Sequence, residues 1–94
     1  MLLKFGVDIS LLNREIRRTL APVEEIFLKH GQEGVISSTY EGNHGPSSLH
    51  YANDAYDLRL PRYPGIIDEI REALGPDYDV VKEGTHIHIE YDPK

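Results

Sequence analysis

The chain has no cysteine and a single methionine, and its 94 residues include no apolar run long enough to span a membrane. Without cysteine neither a disulfide framework nor a thiolate metal site can form, so any covalent-strength staple has to be a metal held by nitrogen and oxygen. The opening Met1-Leu2-Leu3-Lys4-Phe5 lacks the apolar stretch of a secretory leader, so the expected product is cytoplasmic as synthesised. Basic residues are also scarce: 10 Lys and Arg stand against 16 Asp and Glu, a formal net charge of -6, and only Arg14, Arg17 and Arg18 cluster. Nucleic acid is excluded as the expected partner, because neutralising phosphates needs gathered cations. No repeat, linker or low-complexity tract divides the sequence. Residues 1–94 therefore read as one small domain with a modest core, expected to be a monomer.

Two stretches carry chemistry: Ser48-Leu49-His50-Tyr51-Ala52-Asn53-Asp54-Ala55-Tyr56-Asp57 and Thr85-His86-Ile87-His88-Ile89-Glu90. Residues 55–60 alternate apolar and polar, which puts Tyr56, Leu58 and Leu60 on one face of a strand and Asp57 and Arg59 on the other. The same period sends His86, His88 and Glu90 to one face and Ile87, Ile89 and Tyr91 to the opposite one. Zinc accepts imidazole nitrogen and carboxylate oxygen, and a catalytic site uses three protein ligands with one position left for water. His50, Asp57 and His88 supply that set. The spacing from His50 to Asp57 is too long for one helical face, so the first two ligands are expected from a loop or strand and the strand it enters.

Ser48, His50, Ala55 and Asp57 form Ser-x-His-x-x-x-x-Ala-x-Asp, and His86 and His88 form a late His-x-His. Together these motifs resemble the zinc D-alanyl-D-alanine peptidases and the peptidoglycan endopeptidases among phage endolysins; the Ser-Leu-His-Tyr start and His-Ile-His end are also similar to the signalling domain of hedgehog proteins, which shares that fold. The resemblance covers roughly half of the chain, from His44 to Glu90. It implies zinc bound by His50, Asp57 and His88, a substrate contact from Ser48, and peptidoglycan peptide as substrate, met at the cell wall after release or phage delivery. His44 matches a histidine that hedgehog proteins place beside zinc, and reads equally as a solvated loop residue. Ser48 could instead hold its loop through a side-chain hydrogen bond.

Two positions depart from the pattern. Asn53 stands where the family has glycine, a mild change because asparagine tolerates left-handed backbone. The peptidases carry their acid or base three residues before the last zinc histidine, where this chain has Thr85; Glu83 lies five before it. Glu83 is the expected general base only if Gly84 turns the chain to re-aim it, and Glu90 is its competitor on the face of His88. In this scheme Glu83 takes a proton from water and His86 stands near the oxyanion. The alternatives are a non-catalytic zinc-stabilised binding module and a phage structural component. A two-histidine phosphoesterase is excluded, since it would need His-x-Thr or His-x-Ser twice.

The remaining chain predicts the frame. Residues 2–7 read as a short strand or extended lead-in, with Asp8 or Ser10 capping a helix that carries Leu12, Ile16 and Leu20 on one stripe. Pro22 with Glu24 and Glu25 reads as a second helix start, or as a kink in one helix, stopped at Gly31. His30 reads as a partly buried helix-end residue. Residues 34–40 predict a strand with Ile36 and Ser38 on one face, 66–74 a helix stopped by Gly75-Pro76, and 78–82 and 85–91 a hairpin turning at Glu83-Gly84. The expected fold is α+β, with helices on one face of a mainly antiparallel sheet and the metal on the other, the layout of the hedgehog/DD-peptidase family.

Overall fold

In the computed structural model, residues 1–39 and 54–93 are described. His44, Ser48, His50 and Asn53 lie outside them. The strand-period segments assemble as β1 (Leu2–Leu3), β2 (Val35–Ser38), β3 (Ala55–Arg59), β4 (Tyr78–Lys82) and β5 (His86–Tyr91) in one sheet of order β1-β2-β3-β5-β4. β1 runs parallel to β2, and the other three pairings are antiparallel, so the sheet is mixed. Between the strands stand the one-turn α1 (Arg14–Arg17) and the longer α2 (Leu20–Lys29) and α3 (Gly65–Leu74). No helix among the described residues is long and apolar enough to cross a membrane.

One core explains the layers. Ile16, Val23, Phe27, Ile66 and Ile70 from the helices pack with Ile36, Tyr56, Leu58, Ile87 and Ile89 from the strands, all essentially inaccessible to water. Because strand side chains alternate, the opposite sheet face is left to Asp57, His86, His88 and Glu90. The expected α+β arrangement, with its helices sharing one apolar face of the sheet, is the one observed. Gly31 and Gly75 follow α2 and α3 with φ of +71° and +83°, a left-handed backbone that ends a helix cheaply only at glycine.

Local chemistry changed several expected boundaries. Asp8 caps no helix; its Oδ1 accepts the Ser10 N–H at 2.8 Å, forming a turn that competes with helix, and α1 starts only after Asn13. The Asn13 amide reaches Asp54 Oδ1 at 2.6 Å. The chain breaks between α1 and α2 at Arg18 and Thr19, so Pro22 lies inside the first turn of α2, where its missing N–H costs nothing. Leu60 falls just beyond β3 and is 37% exposed. In β2, Ile36 pairs with Leu58 but Ser38 pairs with Asp57, a bulge that reverses the alternation. Ser38 therefore shares the face of Asp57 rather than that of Ile36. Thr39 turns inward, fully buried, and its hydroxyl donates to the Asp8 carbonyl at 3.1 Å. Helix α3 is fastened to the end of α2 by Glu69, which pairs with Lys29 and His30; those bonds, Lys29 first, hold its carboxyl below the usual range. His30 thus has a structural partner at the helix end.

A buried hydroxyl pair crosses the core. Thr19 Oγ1 lies 2.7 Å from both the Ile16 carbonyl and the Tyr56 hydroxyl. A carbonyl can only accept, so the Thr19 proton goes to Ile16 and Tyr56 donates to Thr19. Burial pushes the Tyr56 phenol well above its ordinary pKa, so it remains a donor. Thr19→Val should leave that donor orphaned and cost about 1–3 kcal/mol, whereas Tyr56→Phe removes the donor and should cost about 1 kcal/mol. Urea unfolding of the two variants checks the order; equal losses, or a larger one for Tyr56→Phe, would contradict the assignment.

Candidate metal centre on the polar sheet face

The register of β3 against β5 pairs Asp57 with His88, Arg59 with His86 and Ala55 with Glu90. Directly opposed residues on an antiparallel ladder project their side chains on the same side, within reach of each other. His88 Nδ1 lies 2.9 Å from Asp57 Oδ1, and His88 Nε2 lies 2.5 Å from Glu90 Oε1. His86 Nε2 stands 3.5 Å from the other Asp57 oxygen. Glu83 Oε1 follows at 3.9 Å from His86 Nε2. The face thus carries a row in which acids and imidazoles alternate: Glu83, His86, Asp57, His88, Glu90.

Glu83 joins this row through the turn. Lys82 pairs with Ile87 and the Glu83 N–H donates to the His86 carbonyl at 2.8 Å, so the chain reverses at Gly84 and Thr85, one residue later than expected. Its odd distance from His88 in sequence is therefore harmless. Glu83 belongs to the opposite arm of the hairpin, level with His86, and the site face is where that pairing points it. The Thr85 hydroxyl lies 3.1 Å from His86 Nδ1 and can fix the ring's orientation.

Asp57 is 8% exposed, while the His88 and Glu90 side chains are partly open to solvent. Partial burial works against a charged His88 ring, but the hydrogen bonds to Asp57 and Glu90 outweigh it and raise its pKa to about 9. At neutral pH the metal-free ring is an imidazolium donating from both nitrogens. A metal at Nδ1 would have to displace one proton, and Glu90 would then orient the ring from behind, as carboxylates do for metal-binding histidines.

Of the expected metal ligands, Asp57 and His88 are brought together, and His50 lies outside the described residues, as do His44 and Ser48. Glu83 and His86, expected for catalysis, stand on the same face. Glu90, expected only as a rival base, is instead the second partner of His88; the two-residue period already placed it there. A further acidic group was not foreseen: Asp79, Glu90 and Asp92 bring carboxylate oxygens within 4.8 Å of one another. Asp79 enters it because β4 pairs it with Glu90, a register that composition does not reveal. Three carboxylates without imidazole suit a hard cation rather than zinc, and exposed acidic groups are common without any ion.

No family model, curated protein or solved structure matches this chain.

The raised His88 pKa fixes a pH dependence in the metal-free protein. A histidine whose pKa rises from 6.5 unfolded to about 9 folded adds stability that is complete below the unfolded value and lost as pH climbs through the folded one. Metal-free protein should lose on the order of 3 kcal/mol between pH 6 and pH 9.5, and His88→Gln should flatten the curve. Denaturant unfolding across that range is the check, and equal slopes for parent and variant would contradict it.

Proposed function

We propose that this chain is a zinc-dependent peptide hydrolase acting on D-alanyl or cross-link bonds of peptidoglycan. The observation that carries the reading is the Asp57–His88 pair, a carboxylate and an imidazole 2.9 Å apart on the sheet face opposite the core. Nitrogen and oxygen donors without thiolate suit zinc, and His50 completes the set on the strength of its motif. The substrate class rests on the resemblance to D-alanyl-D-alanine and endolysin peptidases.

Asp57, His88 and His50 would hold the ion, which when bound supplies Lewis acidity to a water and to the scissile carbonyl. Glu83 accepts the proton that the water gives up and returns it to the leaving amine. His86, between Glu83 and Asp57, donates toward the oxygen of the carbonyl under attack. One observation favours a second reading: the Glu83 side chain is 49% exposed and contacts His86 rather than Asp57 or His88. A base so loosely held fits a zinc-stabilised binding module without turnover.

Purified protein should contain about one zinc per chain, and both His50→Ala and His88→Ala should lose it. Glu83→Gln should keep zinc and fold while hydrolysis of D-alanyl peptides falls about a hundredfold to ten-thousandfold; Glu90→Gln should remain active. Elemental analysis and muropeptide digestion decide. Full zinc occupancy in the histidine variants would refute the ligand set, parental cleavage by Glu83→Gln would refute the base, and a zinc-loaded parent that cleaves nothing would establish the binding module.

A further inference from the structure

Beside the acid–imidazole row, the same sheet face carries positive charge. Arg59 is the register partner of His86, two residues along β3 from Asp57 and on the same side of the sheet. That spacing amounts to about 7 Å, the span of roughly two extended peptide residues. Arg59 and Arg62 line one side of a groove whose other side is formed by Gln32, Glu33 and Val35. The Arg62 N–H donates to Gln32 Oε1 at 2.7 Å, tying the two walls together. Both arginines are exposed, and among the described residues neither has a carboxylate at ion-pair distance.

This charge is conspicuous against its surroundings. The chain carries a formal net charge of -6, and the row along the face includes the carboxylates of Glu83, Asp57 and Glu90. An anionic group approaching this face meets the carboxylates of the row on one side and, at the Arg59 end, a groove lined by two arginines and Glu33. A guanidinium presents a planar fork that matches a carboxylate with two parallel hydrogen bonds.

We propose that Arg59, assisted by Arg62, forms a subsite for a carboxylate of the substrate, one or two residues beyond the bond that is cut. The inference rests on the peptide-hydrolase reading of the neighbouring residues and extends it to orientation: the anchored carboxylate fixes which way the peptide lies across Asp57 and His86. Two carboxylates have this chemistry, the C-terminus of a stem peptide and an acidic side chain within it. A subsite for the first makes the protein an exopeptidase, and one for the second an endopeptidase.

Calorimetric titration of zinc-supplemented protein with three probes tests this: N-acetyl-D-alanyl-D-alanine, its C-terminal amide, and N-acetyl-D-glutamyl-D-alanine amide. The parent should bind one of the two acids about tenfold more tightly than the neutral amide, the preferred acid identifying the source. Arg59→Gln should abolish the preference and Arg59→Lys should retain part of it, without change in zinc content. Equal binding of all three probes by the parent, or a preference that survives Arg59→Gln, overturns the subsite. Hydrolysis followed in the same samples keeps the two readings apart. A carboxylate preference lost in Arg59→Gln, with no cleavage by the parent, upholds the subsite and sinks the hydrolase; cleavage without any preference sinks the subsite alone.

Discussion

The contact between Asp57 and His88 across β3 and β5 is what the polar side of this molecule depends on. It arises from pairing register, since the ladder sets these residues directly opposite each other. A slip of β3 by one residue would send Asp57 into the core, away from His88, and lift Tyr56 and Leu58 into water. The apolar residues that stabilise the fold therefore also hold the charged pair in place. Each side of the sheet enforces the other.

That coupling explains how so short a chain can keep ionisable groups close together. His88 stays charged between two carboxylates in the metal-free protein because its hydrogen bonds to both outweigh partial burial. The arrangement is held from behind by the buried Thr19–Tyr56 hydroxyl pair and the Glu69 contacts to α2, which fasten the helices to the sheet and to each other. The bulge in β2 then brings Ser38 level with Asp57, adding a polar residue to the same face. These contacts belong to the scaffold, and the chemistry proposed above is built on it.

Much of this was legible in the sequence, because period-two alternation in residues 55–60 and 85–91 assigns every side chain to a face once both segments are strands. The helix predicted over 66–74 and stopped by Gly75-Pro76 is α3. What alternation cannot encode is where it is interrupted. The β2 bulge inverted the faces of Ser38 and Thr39, and a side-chain hydrogen bond at Asp8 delayed the first helix. Glu83 was a problem of counting along the chain that the hairpin solved by pairing across it. The groove at Arg59 and the acidic group at Asp79 join residues distant in sequence, whose proximity depends on loops and register that no local pattern contains.

In the proposed site Asp57 and His88, opposed by the β3–β5 register, are two ligands of one zinc ion and His50 is the third. X-ray absorption at the zinc edge of the loaded protein tests that ligand set. The expected spectrum shows a first shell of nitrogen and oxygen only, at about 2.0–2.2 Å, with outer-shell scattering from two imidazoles that falls to one in His88→Ala supplied with excess zinc. A shell of water and carboxylate oxygens without imidazole, or a spectrum unchanged in that variant, would contradict it.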